Sequence, residues 1–154
     1  MTPNIWYILS DDEIWFFVAG RWRNFKEVKK VLDTVRASGE TAYCFIENLY
    51  EGQKVEFKQD DKIESIMQKL EALAHDDVFI RQVFDNDIPA EKKSKYFLLV
   101  LPAGISCHIE AGAAYGMGKK CFAAGVPDKT ETLYQIFDNI FPDLKSLDSW
   151  LKSN

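Results

Sequence analysis

Tyr96-Phe-Leu-Leu-Val-Leu101 is a continuous apolar run, and Pro102-Ala-Gly104 breaks it before Ile105-Ser-Cys-His-Ile-Glu-Ala-Gly-Ala-Ala-Tyr-Gly-Met-Gly118. A run that is apolar on both faces is a strand covered from both sides, which is the condition of a parallel sheet. The segment after the Pro-Ala-Gly turn reads as a helix from about Ser106 to Met117, with Ser106 as its cap. Gly116 and Gly118 close it, and Lys119-Lys120 meet its carboxyl end. One strand, one turn and one helix of this kind predict an α/β fold.

Working outward, the same alternation repeats. Ile14 to Ala19 (IWFFVA) is a second buried run, ended by Gly20 and the loop Arg21-Trp-Arg-Asn24. Asn24 caps a helix to about Ala37, with Phe25, Val28, Leu32 and Val35 on one face. Thr41 to Ile46 is a third strand. A helix from Asp60 to Ala74 carries Ile63, Ile66, Met67, Leu70 and Leu73 at helical spacing. Asp76 to Asp87 has no clear period, and Pro89 is expected to end whatever precedes it. Cys121 to Val126 is a strand, Thr130 to Phe137 a helix, Asn139 to Phe141 a short strand and Leu144 to Lys152 a final helix. Asn4 to Leu9 is a further strand candidate, followed by a polar turn from Ser10. The expectation is one domain over residues 1–154: a three-layer sandwich around a mostly parallel, Rossmann/flavodoxin-like sheet of about five strands. Ligands of such sheets sit beyond the carboxyl ends of the strands, which makes Gly20–Asn24 and Pro102–Glu110 the privileged turns.

Composition narrows the partner. The 154 residues are 47% hydrophobic and include 4 Trp, 6 Tyr and 11 Phe, enough apolar surface for a sizeable core. A net charge of −5 excludes a broad grip on a nucleic-acid polymer, which needs a basic face, but leaves a single nucleotide open. Cys44, Cys107 and Cys121, with His75 and His108, follow no metal-ligand spacing, so neither a metal nor a cofactor is expected. No stretch is long and apolar enough to cross a membrane, and free thiols fit the cytoplasm.

Two residue sets carry chemistry. Gly20 lets a ligand approach the backbone at a helix entry, where Arg21 and Arg23 offer charge for an anion. Trp22 between them, with Tyr7 or Trp15 second, is the ring expected to stack on a flat base. In the second turn, Glu110 falls in the first helical turn or just beyond. The helix dipole is expected to keep it ionised there, as a nucleophile or base.

With these residues in view, the chain resembles the nucleoside 2-deoxyribosyltransferase superfamily, which includes the 2′-deoxynucleoside 5′-phosphate N-hydrolases. The resemblance rests on Asn86-Asp-Ile88, the strand Tyr96 to Leu101 with Pro102-Ala-Gly104, Glu110-Ala-Gly-Ala-Ala-Tyr115 and Gly118-Lys119, and on the loop after Val18-Ala-Gly20. It spans roughly Ile14 to Leu151. It implies that Glu110 attacks the anomeric carbon of a sugar and expels the base, leaving a glycosyl-enzyme for a second base or for water. It implies further that Asp87 orients this nucleophile and contacts a sugar hydroxyl, with Asp85 the competing position. Gly20, Arg21, Trp22 and Arg23 would line the base and the sugar or 5′-phosphate end. Homodimers or larger homo-oligomers are implied as well.

The chain also departs from that pattern. Transferases carry an acidic residue in the loop before the nucleophile, and Pro102–Ile109 has none. Gly104 and Ser106 only approximate the Ser- and Gly-rich phosphate loop of the hydrolase branch. His108 is the available substitute for the missing acid, against a plainer role bonded to backbone or solvent. The alternative function is a nucleotide-binding sensor on the same fold, without turnover.

Overall fold

The structure, a computed structural model, describes residues 13–57 and 62–154. Five parallel strands, β1 (Ile14–Ala19), β2 (Ala42–Cys44), β3 (Ser94–Val100), β4 (Lys120–Ala124) and β5 (Phe137–Phe141), form one sheet in the order β2-β1-β3-β4-β5. Phe17 is registered with Tyr43 on one side and Phe97 on the other, and Phe97 with Cys121. The chain runs outward from β1 to β2, then crosses back to β3 on the opposite flank. The reversal therefore lies between β1 and β3, whose carboxyl ends lead into the two turns singled out above.

Alternation along the strands divides the core. Phe16, Val18, Leu98, Val100 and Phe122 face helices α1 (Phe25–Ala37) and α5 (Leu144–Ser153), with α2 (Ile63–Glu71) at the margin. Phe17, Tyr43, Phe97, Leu99 and Ala123 face the carboxyl end of α3 (Val78–Lys93) and α4 (Ile105–Gly116), which contribute Ala90, Cys107, Ala111 and Ala114. The small residues of α4 let it lie close to the sheet. Phe16, Phe17 and Phe97 are each at most 2% exposed, and burying a ring of this size contributes about 1.5–3 kcal/mol.

Several expected boundaries move, each for a local reason. β2 stops at Cys44, where the chain folds into a 3₁₀ turn, Phe45–Glu47, closed by Asn48 N–H donating to Phe45 O. Pro89 does not end a helix: α3 runs through it for 16 residues. Pro89 removes one donor, while Asp77 caps the helix start by accepting from Phe79 N and buried Phe79 and Ala90 anchor its two ends. Asn24 is not a side-chain cap, because its Nδ2 donates instead to Leu101 O at 3.5 Å and a 3₁₀ turn, Trp22–Asn24, leads into α1. Ser106 is not a cap either. Gly104 holds that position in an extended conformation, and Ser106 lies exposed inside the first turn. The helix expected over 130–137 is a 3₁₀ segment, Thr132–Ile136, and β5 begins two residues early at the buried Phe137. The strand expected over 4–9 lies outside the described residues. Among those described, no helix is long and apolar enough to cross a membrane.

Candidate active site

The loop after β1 is built by packing rather than by an open cradle. A Cβ on Gly20 would sit 2.4 Å from Val28 Cγ2, so the glycine lets α1 pass against the end of β1. Trp22 is 6% exposed, its ring stacked on Phe57 at 5.0 Å and edge-on to Phe45 at 5.5 Å. It is a core ring, which corrects its expected place against a base. Trp15 is no substitute. It sits near the opposite, amino end of β1, tilted against Tyr96 at 5.9 Å with the Lys95 ammonium 3.8 Å over its ring. Tyr7 lies outside the described residues.

The two arginines of this loop part company. Arg23 clamps α2, with Nε 2.8 Å from Glu64 and Nη1 2.8 Å from Glu71. Those hydrogen bonds strengthen its hold on the proton and pull Glu64 below the usual carboxylate range. Arg23 is thus paired with two carboxylates, whereas Arg21 is exposed and acts on Glu64 through space.

The loop after β3 carries His108, whose ring stacks on Tyr134 with planes 9° apart. Its Nδ1 is 2.7 Å from Gly104 O, an oxygen that only accepts, so Nδ1 carries the hydrogen. Nε2, 2.8 Å from Tyr134 Oη, accepts from that hydroxyl. Both ring nitrogens are occupied, and the plainer role for His108, bonded to the backbone, is the one observed. Ser106 stands one helical turn before Glu110 on α4, on the same side of the helix.

The carboxylates gather between α3 and α4, against the sheet face that carries Tyr43. Asp87 accepts from Tyr43 Oη at 2.7 Å, and Asn48 Nδ2 donates to the same hydroxyl at 2.9 Å. Burial lifts Asp87 to about 6, and the Tyr43 hydrogen bond tempers that rise. Asp85, two residues earlier, points away and pairs with Arg81 at 3.1 Å, which removes it as the competing candidate. Glu91, one turn beyond Asp87, is 0% exposed, and burial lifts it to about 7. Glu110 is raised well above the usual glutamate value, first by burial, then by the charges of Asp87 and Glu91.

That last shift corrects an expectation. Glu110 is the sixth residue of α4, beyond the turn over which a helix dipole acts, and burial among like charges outweighs any dipole benefit. Burial and the neighbouring charges of Asp87 and Glu91 thus favour its protonated form. Among the described residues, no three His, Cys, Asp or Glu side chains are placed to hold a metal ion.

Glu110 thus lies within electrostatic reach of Asp87, while Arg23 is engaged by Glu64 and Glu71. The structure adds Tyr43, Asn48 and Glu91, which sequence reasoning missed. Tyr43 sits in a strand run that reads as plain core. The i,i+4 relation of Asp87 and Glu91 was hidden by expecting Pro89 to end the helix between them.

No protein-family model and no curated protein sequence matches the chain. Solved structures that share its fold include two at 16% identity. One is a 2-deoxyribosyltransferase from Bacillus psychrosaccharolyticus, at 16% identity and TM-score 0.63, covering 88% of this chain and 94% of that one. The other is a CMP N-glycosidase from Clostridium botulinum, at 16% identity and TM-score 0.53, covering 88% of this chain and 96% of that one.

Proposed function

We propose that the chain is a member of the nucleoside 2-deoxyribosyltransferase superfamily and cleaves or transfers the N-glycosidic bond of a nucleoside or its 5′-monophosphate. The observation that carries this reading is the placement of Asp87, held by Tyr43 Oη at 2.7 Å, within electrostatic reach of Glu110, each carboxyl raised by burial. Opposed roles for paired carboxyls are the logic of retaining glycoside cleavage, where one attacks and the other handles a proton.

In this reading Glu110 first passes its proton to Asp87, and the Glu110 carboxylate so formed bonds to the anomeric carbon as the carbon–nitrogen bond breaks. The electron pair leaves with the base nitrogen, which takes a proton from the Asp87 carboxyl. Water, or a second base, then displaces Glu110, and the proton released by that nucleophile returns to Asp87. Raised carboxyls compensate for the missing acid of the Pro102–Ile109 loop, because a group near 6 still carries protons close to neutrality. Tyr43 fixes the orientation of Asp87. Gly20 and Arg21, with Gly104 and Ser106, line the approach, Arg21 serving an anionic 5′ end. The reaction needs no cofactor, belongs in the cytoplasm and fits a homodimer or larger homo-oligomer.

The competing reading is a nucleotide sensor without turnover, favoured by His108 and Arg23 being engaged by the protein itself. Chromatography of free base released from deoxynucleosides, ribonucleosides and their 5′-monophosphates, with and without a second base, separates the two. Release that Glu110→Ala abolishes supports the enzyme. Saturable binding with no release from any substrate supports the sensor.

A further inference from the structure

Glu91 has no part in the steps above, yet its placement is the most unusual in the described structure. It is 0% exposed, and neither carboxyl oxygen has a hydrogen-bond partner among the described residues. A carboxylate stripped of water and of donors is strongly disfavoured, so the pocket selects the neutral acid. Gln or Leu would fill the same volume without a titratable group, so packing alone does not call for a carboxyl here.

The groups around it are specific. Asp87 faces it from the same side of α3 and Glu110 from α4, and Lys119 lies before β4 with Cys121 on that strand. The Lys119 ammonium donates to Lys92 O at 2.9 Å and to Ser94 O, which pins it at the junction of α3 and β3. It tempers Glu91 through space, without a hydrogen bond to either carboxyl oxygen.

We propose that Glu91 is a positioning residue of the candidate site, a sealed carboxyl one helical turn from Asp87 that stores a proton and whose charge state sets how readily Glu110 ionises. Loss of its proton places a negative charge near Glu110 and drives a proton onto it. Ionisation of Glu110, in turn, holds the proton on Glu91. The three carboxyls titrate as one system, which spares the site three simultaneous negative charges while still letting Glu110 ionise.

The role of Glu91 toward catalysis rests on the reading under Proposed function; its storage of a proton does not. Both are tested by carbon-13 NMR titration of side-chain carboxyls in the wild-type chain and in Glu91→Gln, alongside the pH profile of kcat/KM for base release. In the wild type, Glu91 should stay protonated beyond the ordinary glutamate range. In Glu91→Gln, the midpoint of Glu110 should fall by about one pH unit, with the acidic limb of kcat/KM moving with it. A Glu91 that ionises in the ordinary range, or a Glu110 midpoint that stays put, would overturn the proposal. Should Glu91→Gln fail to fold, Lys119→Met replaces it. Loss of that cation should raise the Glu91 midpoint, and an unmoved midpoint overturns the proposal equally. If no nucleoside or nucleotide releases base, the functional reading fails while the NMR titration still decides whether Glu91 stores a proton.

Discussion

Tyr43 Oη donates to Asp87 Oδ1 at 2.7 Å, joining an edge strand of the sheet to the helix that carries the candidate site. The contact spans 44 residues of sequence and fixes which carboxyl of Asp85 and Asp87 faces inward. Tyr43→Phe removes the donor to Asp87 and the acceptor of the Asn48 Nδ2 bond in a buried setting. The expected cost is about 1–3 kcal/mol of stability, read from urea unfolding at neutral pH. The Asp87 midpoint should rise above about 6, since the lost hydrogen bond is what lowers it.

Stability should depend on pH through the acid cluster. Asp87 rises from an ordinary value of 3.8 to about 6, and Glu91 from 4.5 to about 7. Both bind more protons folded than unfolded, so their contribution is complete below the ordinary carboxylate range and is lost as pH climbs through 6 to 7. Surface carboxyls Asp77 and Asp143 are shifted down and act in the opposite sense, losing their contribution as pH falls below the ordinary range. Thermal midpoints recorded across pH should therefore peak on the mildly acidic side and decline toward pH 8. A midpoint that keeps rising from pH 5 to 8 would contradict the assigned shifts.

Glu110→Gln should separate activity from stability. Base release is expected to fall by roughly 10³-fold or more, as for the loss of a covalent nucleophile. The variant should nonetheless be at least as stable as the wild type at pH 8, because a carboxyl raised by burial and like charges is gone. Kinetics and thermal melts on the same preparation check both halves.

The arginines predict opposite phenotypes. Arg21→Ala should raise KM for 5′-monophosphates more than for nucleosides, since Arg21 is exposed just beyond β1 while Arg23 is held by Glu64 and Glu71. Arg23→Ala should treat the two substrate types alike, and should show instead as faster hydrogen exchange in α2, which loses its clamp through Glu64 and Glu71. Equal discrimination by both variants would contradict this division.

Trp22→Ala should act as a core truncation and cost about 3–5 kcal/mol, with Phe45 and Phe57 losing their packing partner. Trp22→Phe should retain most of the stability and leave KM near the wild-type value. A large rise in KM for Trp22→Phe without loss of stability would restore the ring to the substrate.

Much of this molecule was legible in its residues. Ile14–Ala19 and the run ending at Val100 announce themselves as strands because a parallel sheet covered on both faces demands unbroken apolar character, a purely local signal. Glu110 and Asp87 are singled out by the order of motifs that resemble a known family, a feature read along the chain.

What the sequence leaves undetermined depends on which surfaces meet. Whether Trp22 stacks on a ligand or on Phe57, and whether Arg23 reaches an anion or Glu64, turns on contacts more than 30 residues apart. Whether Glu110 is ionised depends on the opposing helix, because burial and the charges of Asp87 and Glu91 outweigh the helix end. Periodicity and spacing fix the elements, since those are properties of neighbours along the chain. Burial and the electric field at a carboxyl are properties of neighbours in space, so only the packed fold decides them.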